Sequence, residues 1–293
     1  MNKIIVITGP TAVGKTKLSI EIAKKYNGEI INADAVQVYK GLDIGSAKVT
    51  KEEKENIVHH LFDIKEVDEE YTIFHYQQDC RKVIEDIQKR GKTPIMIGGT
   101  GLYIKAALYD YKLSNEKENK TYDDLTTQEI YNELIKLDKD IIIDKNNRRR
   151  LIRALNYYKE NNKSINNNKT DKLLYDALFI GLTTDRNLLY EKINSRVDVM
   201  IKEGLLEEVG AFYKKNIRTK PLLNAIGYKE IYKYFDGEYT LDEALDKIKQ
   251  NSRHYAKRQY TFFNHQLPVV WFETDYDNFN NTIKKVSDYI NSN

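Results

Sequence analysis

At 293 residues with 41% apolar content, the chain is long enough for one large domain, or for one domain carrying an insertion. Its 47 basic and 44 acidic residues leave a net charge of +3, too small to announce a nucleic-acid binder from global charge. One cysteine, Cys80, excludes an internal disulfide framework and a cysteine-cluster zinc site and suits a reducing cytoplasm, and no run approaches the roughly eighteen apolar residues of a membrane span.

The first apolar run, Ile4–Ile7, is too short for a signal peptide and reads as a strand. It leads directly into Gly9-Pro10-Thr11-Ala12-Val13-Gly14-Lys15-Thr16, the spacing G-x-x-x-x-G-K-T, and a helix-like segment follows (Leu18, Ile20, Ile22, Ala23). Glycines let the backbone wrap an anion, and successive N–H groups at a helix start point at it. Lys15 adds a positive charge, and the Thr16 hydroxyl is placed to hold Mg²⁺. The chain is therefore expected to bind a di- or triphosphate, and the motif alone suggests ATP or another nucleotide.

Glu29–Asn32 reads as a second strand and the region near Leu61–Ile64 as a third. Helix-period apolar residues run through Val83, Ile84 and Ile87, Gly91 breaks that helix, and Thr93–Ile97 is the next strand, ending in Gly98-Gly99. This alternation predicts an α/β fold, a parallel P-loop sheet with crossover helices and ligands beyond the carboxyl ends of the strands. Asp34, Gly98–Gly101 and the phosphate loop all fall at those ends, so they should share one cleft.

Composition shifts near residue 113. Ser114–Asp124 is a polar linker, Tyr131–Leu137 and Arg148–Tyr158 look helical, and Asn161–Asp171 is a second polar loop. Ala177–Leu182 then reads as a strand returning to the sheet. The predicted organisation is a core of residues 1–112 and 175–293 with a small helical insertion at 113–174. From Asn187 to Lys214 the pattern is helical, interrupted at Gly204, and Val269–Phe272 is a late strand.

Motor enzymes with a phosphate loop usually carry an Asp after a second buried strand. Here the best buried strand ends in Gly-Gly-Thr-Gly, and the acid at a core strand end is Asp34. That favours group transfer, with Asp34 facing the acceptor. A nucleoside or nucleotide kinase remains the alternative; it would use the loop for ATP and the insertion as a lid.

Several further segments carry a resemblance: Asn32–Gln37 continuing through Lys48; His59-His60-Leu61; Gly98–Tyr103; Arg148–Leu155; Ala225–Glu230; and Ala256-Lys257-Arg258-Gln259. With the phosphate loop, and in this order, they resemble the tRNA isopentenyltransferase family, the tRNA dimethylallyltransferases, over about residues 3–272. The resemblance implies transfer of a dimethylallyl group from dimethylallyl diphosphate to N6 of the adenosine 3′-adjacent to the anticodon. The phosphate loop would then hold the diphosphate leaving group, with Mg²⁺ as cofactor at Thr16. Asp34 would take the N6 proton, Thr100 would donate to a diphosphate oxygen, and Arg196 would neutralise charge on the leaving group. The implied tRNA contacts are Asp34, Ala35, Val36, Gln37 and Thr100; Arg149, Arg150, Leu151, Ile152 and Arg153; Asn224, Ala225, Ile226, Gly227, Tyr228 and Lys229; and Lys257 and Arg258. The implied partners are a tRNA anticodon stem-loop and dimethylallyl diphosphate, for a monomeric cytoplasmic enzyme with no membrane association.

The chain departs from the family pattern in places. The stretch Ser114–Asp124 is short, Asn224-Ala225 lacks an Arg that some relatives have, and Phe262-Phe263 stands where Trp-Phe is usual. With a single cysteine, no zinc-finger extension is expected after Trp271. His59 and His60 match the family and are expected to be structural rather than metal ligands.

Overall fold

The computed structural model describes residues 3–111, 113 and 120–293. The chain divides into two compact units, residues 1–107 with 175–293, and residues 108–174.

The larger unit is built on β1 (Ile4–Thr8), α1 (Lys15–Lys25), β2 (Gly28–Asn32), β3 (His59–His60), α2 (Ile73–Lys89), β4 (Thr93–Ile97) and α3 (Gly101–Leu108). The smaller unit contributes β5 (Tyr109–Tyr111), α4 (Thr127–Leu137), α5 (Arg148–Asn161) and β6 (Lys169–Leu173). The larger unit resumes with β7 (Ala177–Thr183), α6 (Arg186–Lys202), α7 (Leu205–Lys214), α8 (Lys220–Asn224), α9 (Tyr228–Phe235), α10 (Leu241–Gln266), β8 (Val270–Glu273) and α11 (Phe279–Ser292).

Six strands form one sheet in the order β3-β2-β4-β1-β7-β8, and every pairing is parallel. β1 is buried along its whole length because helices cover both faces. Ile5 and Ile7 pack with Leu18 and Ile22 of α1, Ile193 of α6 and Val286 and Ile290 of α11. Ile4 and Val6 alternate to the opposite face and are equally inaccessible. Each buried Ile contributes about 2 kcal/mol of transfer free energy.

The third strand lies two residues earlier than the sequence suggests. β3 is His59–His60, not Leu61–Ile64, because Leu61 and Asp63 both adopt left-handed φ (63° and 54°), which ends a strand. Gly204 does separate α6 from α7, at φ 105°. His60 Nε2 pairs with the buried Glu29 at 2.7 Å and His59 Nδ1 meets the Ile57 carbonyl at 2.8 Å, so both rings have protein partners.

The smaller unit is not purely helical. β5 and β6 form a two-stranded antiparallel sheet. The polar stretch Asn161–Asp171, expected to be loop, contains a 3₁₀ turn and the start of β6, because pairing with β5 satisfies its backbone. Ile130 and Leu134 of α4 pack on Leu151, Ala154 and Leu155 of α5 to make a separate small core. Of the expected linker Ser114–Asp124, residues 114–119 lie outside the described residues.

Candidate active site

The carboxyl ends of β1, β2 and β4 converge on a cleft of about 570 Å³ in the larger unit. Its floor is the phosphate loop. Gly9 has φ 133°, and a Cβ there would come within 2.4 Å of the Leu182 carbonyl oxygen, so only glycine fits. Gly14 opens α1 at φ 87° with no side-chain cap, and the first turn of α1 carries no acidic residue. Its first-turn N–H groups and the positive end of its dipole are thus left for an anion. Lys15 folds back over the loop, donating to the Pro10 carbonyl at 2.5 Å.

Arg196 reaches the same cleft from α6. Burial first and the nearby Arg196 charge second bring the Lys15 pKa down to about 7, against the opposing pull of Asp34. Burial also lowers Arg196, with Glu53 and Glu203 opposing. Two cations that repel each other in a partly desolvated cleft form a site for a multiply charged anion.

Opposite them stands Asp34, just past β2. Burial raises its pKa, while amides of Val36 and Gln37 and the Lys15 charge hold it down. Its placement is specified by Asn32, which is fully buried at the strand end. Asn32 Oδ1 accepts the Asp34 N–H at 2.8 Å and Nδ2 donates to Leu61 O and Asp34 O, each at 3.0 Å. Asp34 Oδ1 accepts Val36 N–H at 2.8 Å, so the acid shapes its own turn rather than capping a helix.

Gly98-Gly99-Thr100-Gly101 is more than a tight turn. A Cβ on Gly98 would lie 2.2 Å from Ala33 O, one on Gly99 2.1 Å from Gln259 Nε2, and one on Gly101 2.3 Å from the Phe262 ring. Thr100 N–H donates to Ala33 O and the Thr100 hydroxyl accepts from Ala35 N–H, both at 3.1 Å. The hydroxyl keeps its proton for donation. The Asp34 and Thr100 segments are therefore stitched into one wall.

The cleft brings together Thr11, Ala12, Gly14, Lys15 and Thr16 with Asp34–Gln37, Thr100 and Arg196. Asn224, Ala225, Ile226, Gly227, Lys229 and Arg258 line it as well. Gly9, Pro10 and Val13 of the loop are buried and do not line the cleft. Lys257 is exposed and does not line the cleft. Tyr228, expected on the tRNA path, is instead an interior side chain whose hydroxyl donates to Glu208 at 2.6 Å. In the smaller unit, Arg149, Arg150 and Arg153 are exposed on α5, but Leu151 is fully buried and Ile152 packs beside it. The Leu151 side chain thus belongs to the small core.

Sequence reasoning assigned no role to four residues that shape this site. They are Asn32; Gln259, whose Nε2 donates to Gly99 O at 3.0 Å; Tyr255; and Glu208. Tyr255 lines the cleft, and burial followed by the Asp34 charge pushes its phenol up. Glu208 accepts the amides of Asp43, Ile44 and Gly45 at 3.1, 2.8 and 3.1 Å, fixing the loop next to Ser46 and Ala47. Asn32, a polar residue ending an apolar strand, and Gln259, in the Ala256–Gln259 segment, stood within recognised motifs, but neither motif disclosed the partner.

The family pattern described as IPP transferase matches residues 37–266. The chain belongs to this family. A tRNA dimethylallyltransferase of Anoxybacillus flavithermus is 48% identical over 298 residues, which covers 98% of this chain and 96% of that one. One from Bacillus pumilus is 49% identical over 283 residues, covering 92% and 89%. Among solved structures, the tRNA isopentenylpyrophosphate transferase of Bacillus halodurans superimposes with a TM-score of 0.78 at 40% identity, over 100% and 96% of the two chains. A eukaryotic dimethylallyltransferase, described as acting on tRNA, superimposes at 0.84 with 30% identity, over 99% of this chain and 80% of that one. The IPP transferase match begins at Gln37, so the phosphate loop and Asp34 lie outside that span and within the full-length likenesses.

Proposed function

We propose that this chain transfers a dimethylallyl group from dimethylallyl diphosphate to N6 of the adenosine 3′-adjacent to the anticodon of tRNA. The observation that carries the reading is that one cleft is lined both by an anion cradle, with Lys15 and Arg196, and by a part-buried carboxylate, Asp34, close enough to interact with Lys15. The names of the full-length relatives support the same reaction.

The chemistry follows from the groups. The N6 lone pair is delocalised into the adenine ring and is a weak nucleophile. Asp34 accepts a hydrogen bond from N6 and then its proton as N6 bonds to C1 of the dimethylallyl group. The C1–O bond breaks, and both electrons leave with the diphosphate. Loop amides, Lys15, Arg196 and the Thr100 hydroxyl stabilise the growing negative charge. The target base reaches Asp34 only when extruded from the anticodon loop. Asn224, Lys229 and Arg258 at the cleft wall suit the flanking nucleotides, and Arg149 and Arg153 suit tRNA phosphates.

Thr16 fits Mg²⁺ as a single hydroxyl ligand. Among the described residues no cluster of three or more His, Cys, Asp or Glu is built for a metal, so the remaining ligands would be diphosphate oxygens and water. When bound, the ion supplies further charge neutralisation on the diphosphate. The buried thiol of Cys80 suits a cytoplasmic enzyme, and we propose a monomer. Among the described residues no helix is long and apolar enough to cross a membrane.

A two-substrate assay tests the reading. Protein and Mg²⁺ are mixed with labelled dimethylallyl diphosphate and tRNA lacking the modification, beside tubes holding ATP and nucleosides. Label in tRNA adenosine is expected. ATP consumption against a nucleoside, with unlabelled tRNA, would establish the kinase instead.

A further inference from the structure

Near its C-terminal end the chain returns to the phosphate loop. β8 delivers Thr274, whose N–H donates to Thr183 O at 2.8 Å beside the end of β7. The Thr274 hydroxyl then donates to the Val13 carbonyl at 3.0 Å, and the Tyr276 hydroxyl donates to the Ala12 carbonyl at 3.2 Å. Thr274 is buried. Lys192 of α6, one turn before Arg196, lies 4.7 Å from the centre of the Tyr276 ring. Phe279 closes the same wall, so near that a Cβ on Gly14 would come within 2.6 Å of its ring.

A trans peptide is planar, with its C=O and N–H on opposite sides. Drawing the carbonyls of Ala12 and Val13 toward residues 274–276 therefore turns the N–H groups of Val13 and Gly14 the other way, into the loop's concave side. Those are the groups with which a phosphate loop binds its anion. Ala12 also sits at φ 68°, a left-handed conformation that is strained for a non-glycine residue unless its surroundings hold it. The Tyr276 bond to its carbonyl is such a hold.

We propose that Thr274 and Tyr276 are positioning residues for the phosphate loop, a strap that keeps its amides aimed before the diphosphate arrives. Neither hydroxyl touches the anion; each acts through a loop carbonyl. Preorganised dipoles need no rearrangement when charge appears, so the strap contributes to diphosphate affinity. The inference rests on the diphosphate reading of the loop and adds the residues that set its geometry.

The test titrates inorganic pyrophosphate with Mg²⁺ into the full chain by calorimetry, for wild type, Thr274→Val, Thr274→Ser and Tyr276→Phe. Steady-state KM values for dimethylallyl diphosphate and for tRNA accompany each. Loss of one hydrogen bond is expected to weaken pyrophosphate binding about three- to tenfold, with Thr274→Ser restoring it. KM for dimethylallyl diphosphate should rise in step, while KM for tRNA and the melting temperature of Tyr276→Phe stay put. Equal pyrophosphate affinity in wild type and Tyr276→Phe overturns the strap and leaves the diphosphate reading standing. Parallel changes in both KM values, without loss of pyrophosphate affinity, overturn it too. A wild type that binds no pyrophosphate overturns the diphosphate reading, and the strap falls with it. Should Thr274→Val fail to fold, Tyr276→Phe decides, since it removes one oxygen from a partly exposed ring.

Discussion

Lys15 and Asp34 line one cleft, and the charge of each holds back the shift that burial imposes on the other. Burial, helped by the Arg196 charge, brings the Lys15 amine down to about 7 while the Asp34 charge resists. Burial pushes the Asp34 carboxyl up, and the Lys15 charge resists. The pair is poised so that an arriving anion strengthens the Lys15 ammonium.

The first prediction concerns that ammonium. Its ordinary pKa is 10.5 and its value in the folded protein is about 7, so between those values the folded chain holds fewer protons than the unfolded one. Fold stability contributed by this group should therefore rise with pH through that window, as the proton that folding expels becomes easier to remove. Diphosphate affinity should do the opposite. The anion selects the ammonium form, so binding above pH 7 takes up a proton and weakens by up to about tenfold per pH unit. Pyrophosphate calorimetry in buffers of different ionisation enthalpy measures the uptake. Lys15→Arg, whose guanidinium does not titrate, should abolish the protein's share. Equal uptake in wild type and Lys15→Arg would remove Lys15 from the linkage.

Asp34 governs the acidic side. Only its carboxylate accepts the N6 proton, so kcat/KM should fall as pH drops through its pKa. Because that pKa is raised, the fall should begin above the ordinary Asp value of about 3.9. Asp34→Asn keeps the shape and removes the base, so turnover should drop by about 10²-fold or more while tRNA still binds. Normal turnover in that variant would take Asp34 out of the chemistry.

Legibility from sequence followed sequence distance. The phosphate loop, Asp34 and Thr100 lie in short contiguous motifs at strand ends, where period and spacing suffice. The parallel sheet was readable for the same reason. Gln259 was not, because its partner Gly99 is 160 residues away. Glu208 was not, because its three amide donors lie 163 to 165 residues away. Motif reading also overreached where a contiguous run crosses a helix surface. Arg149 and Arg153 fall on the exposed side of α5 while Leu151 between them turns into the core, as a period of 3.6 requires. Tyr228 likewise turns into the interior, inside a motif whose neighbours line the cleft. The β5–β6 pairing carried no signal in Lys169–Leu173, a polar segment whose strand state depends on its partner.

Gly98 ties stability to catalysis. Any Cβ there meets Ala33 O at 2.2 Å, and Ala33 is the residue before Asp34. The obstacle is backbone and cannot swing aside. Gly98→Ala should destabilise the fold by about 1–3 kcal/mol and displace the Asp34 turn. Thermal unfolding reads the first effect and kcat the second. A variant with wild-type melting and wild-type kcat would show that the two segments separate at no cost.

The arginines of α5 divide by what they already hold. Arg148 donates to Leu125 O and Tyr122 O, both at 2.7 Å, and so supports the smaller unit itself. Arg149 and Arg153 are exposed one turn apart on the same helix face. Each phosphate neutralised contributes about 0.7 to 0.9 to the salt slope of binding. Replacing Arg149 and Arg153 together by Ala should therefore weaken tRNA binding and reduce that slope by about 1.5, with the melting temperature little changed. Arg148→Ala should instead lower the melting temperature, because two carbonyls lose their donor. Filter binding across a salt series, run beside thermal melts, separates the two outcomes. An unaltered slope in the double variant would assign Arg149 and Arg153 to the solvated surface and leave phosphate binding to the wall of the cleft.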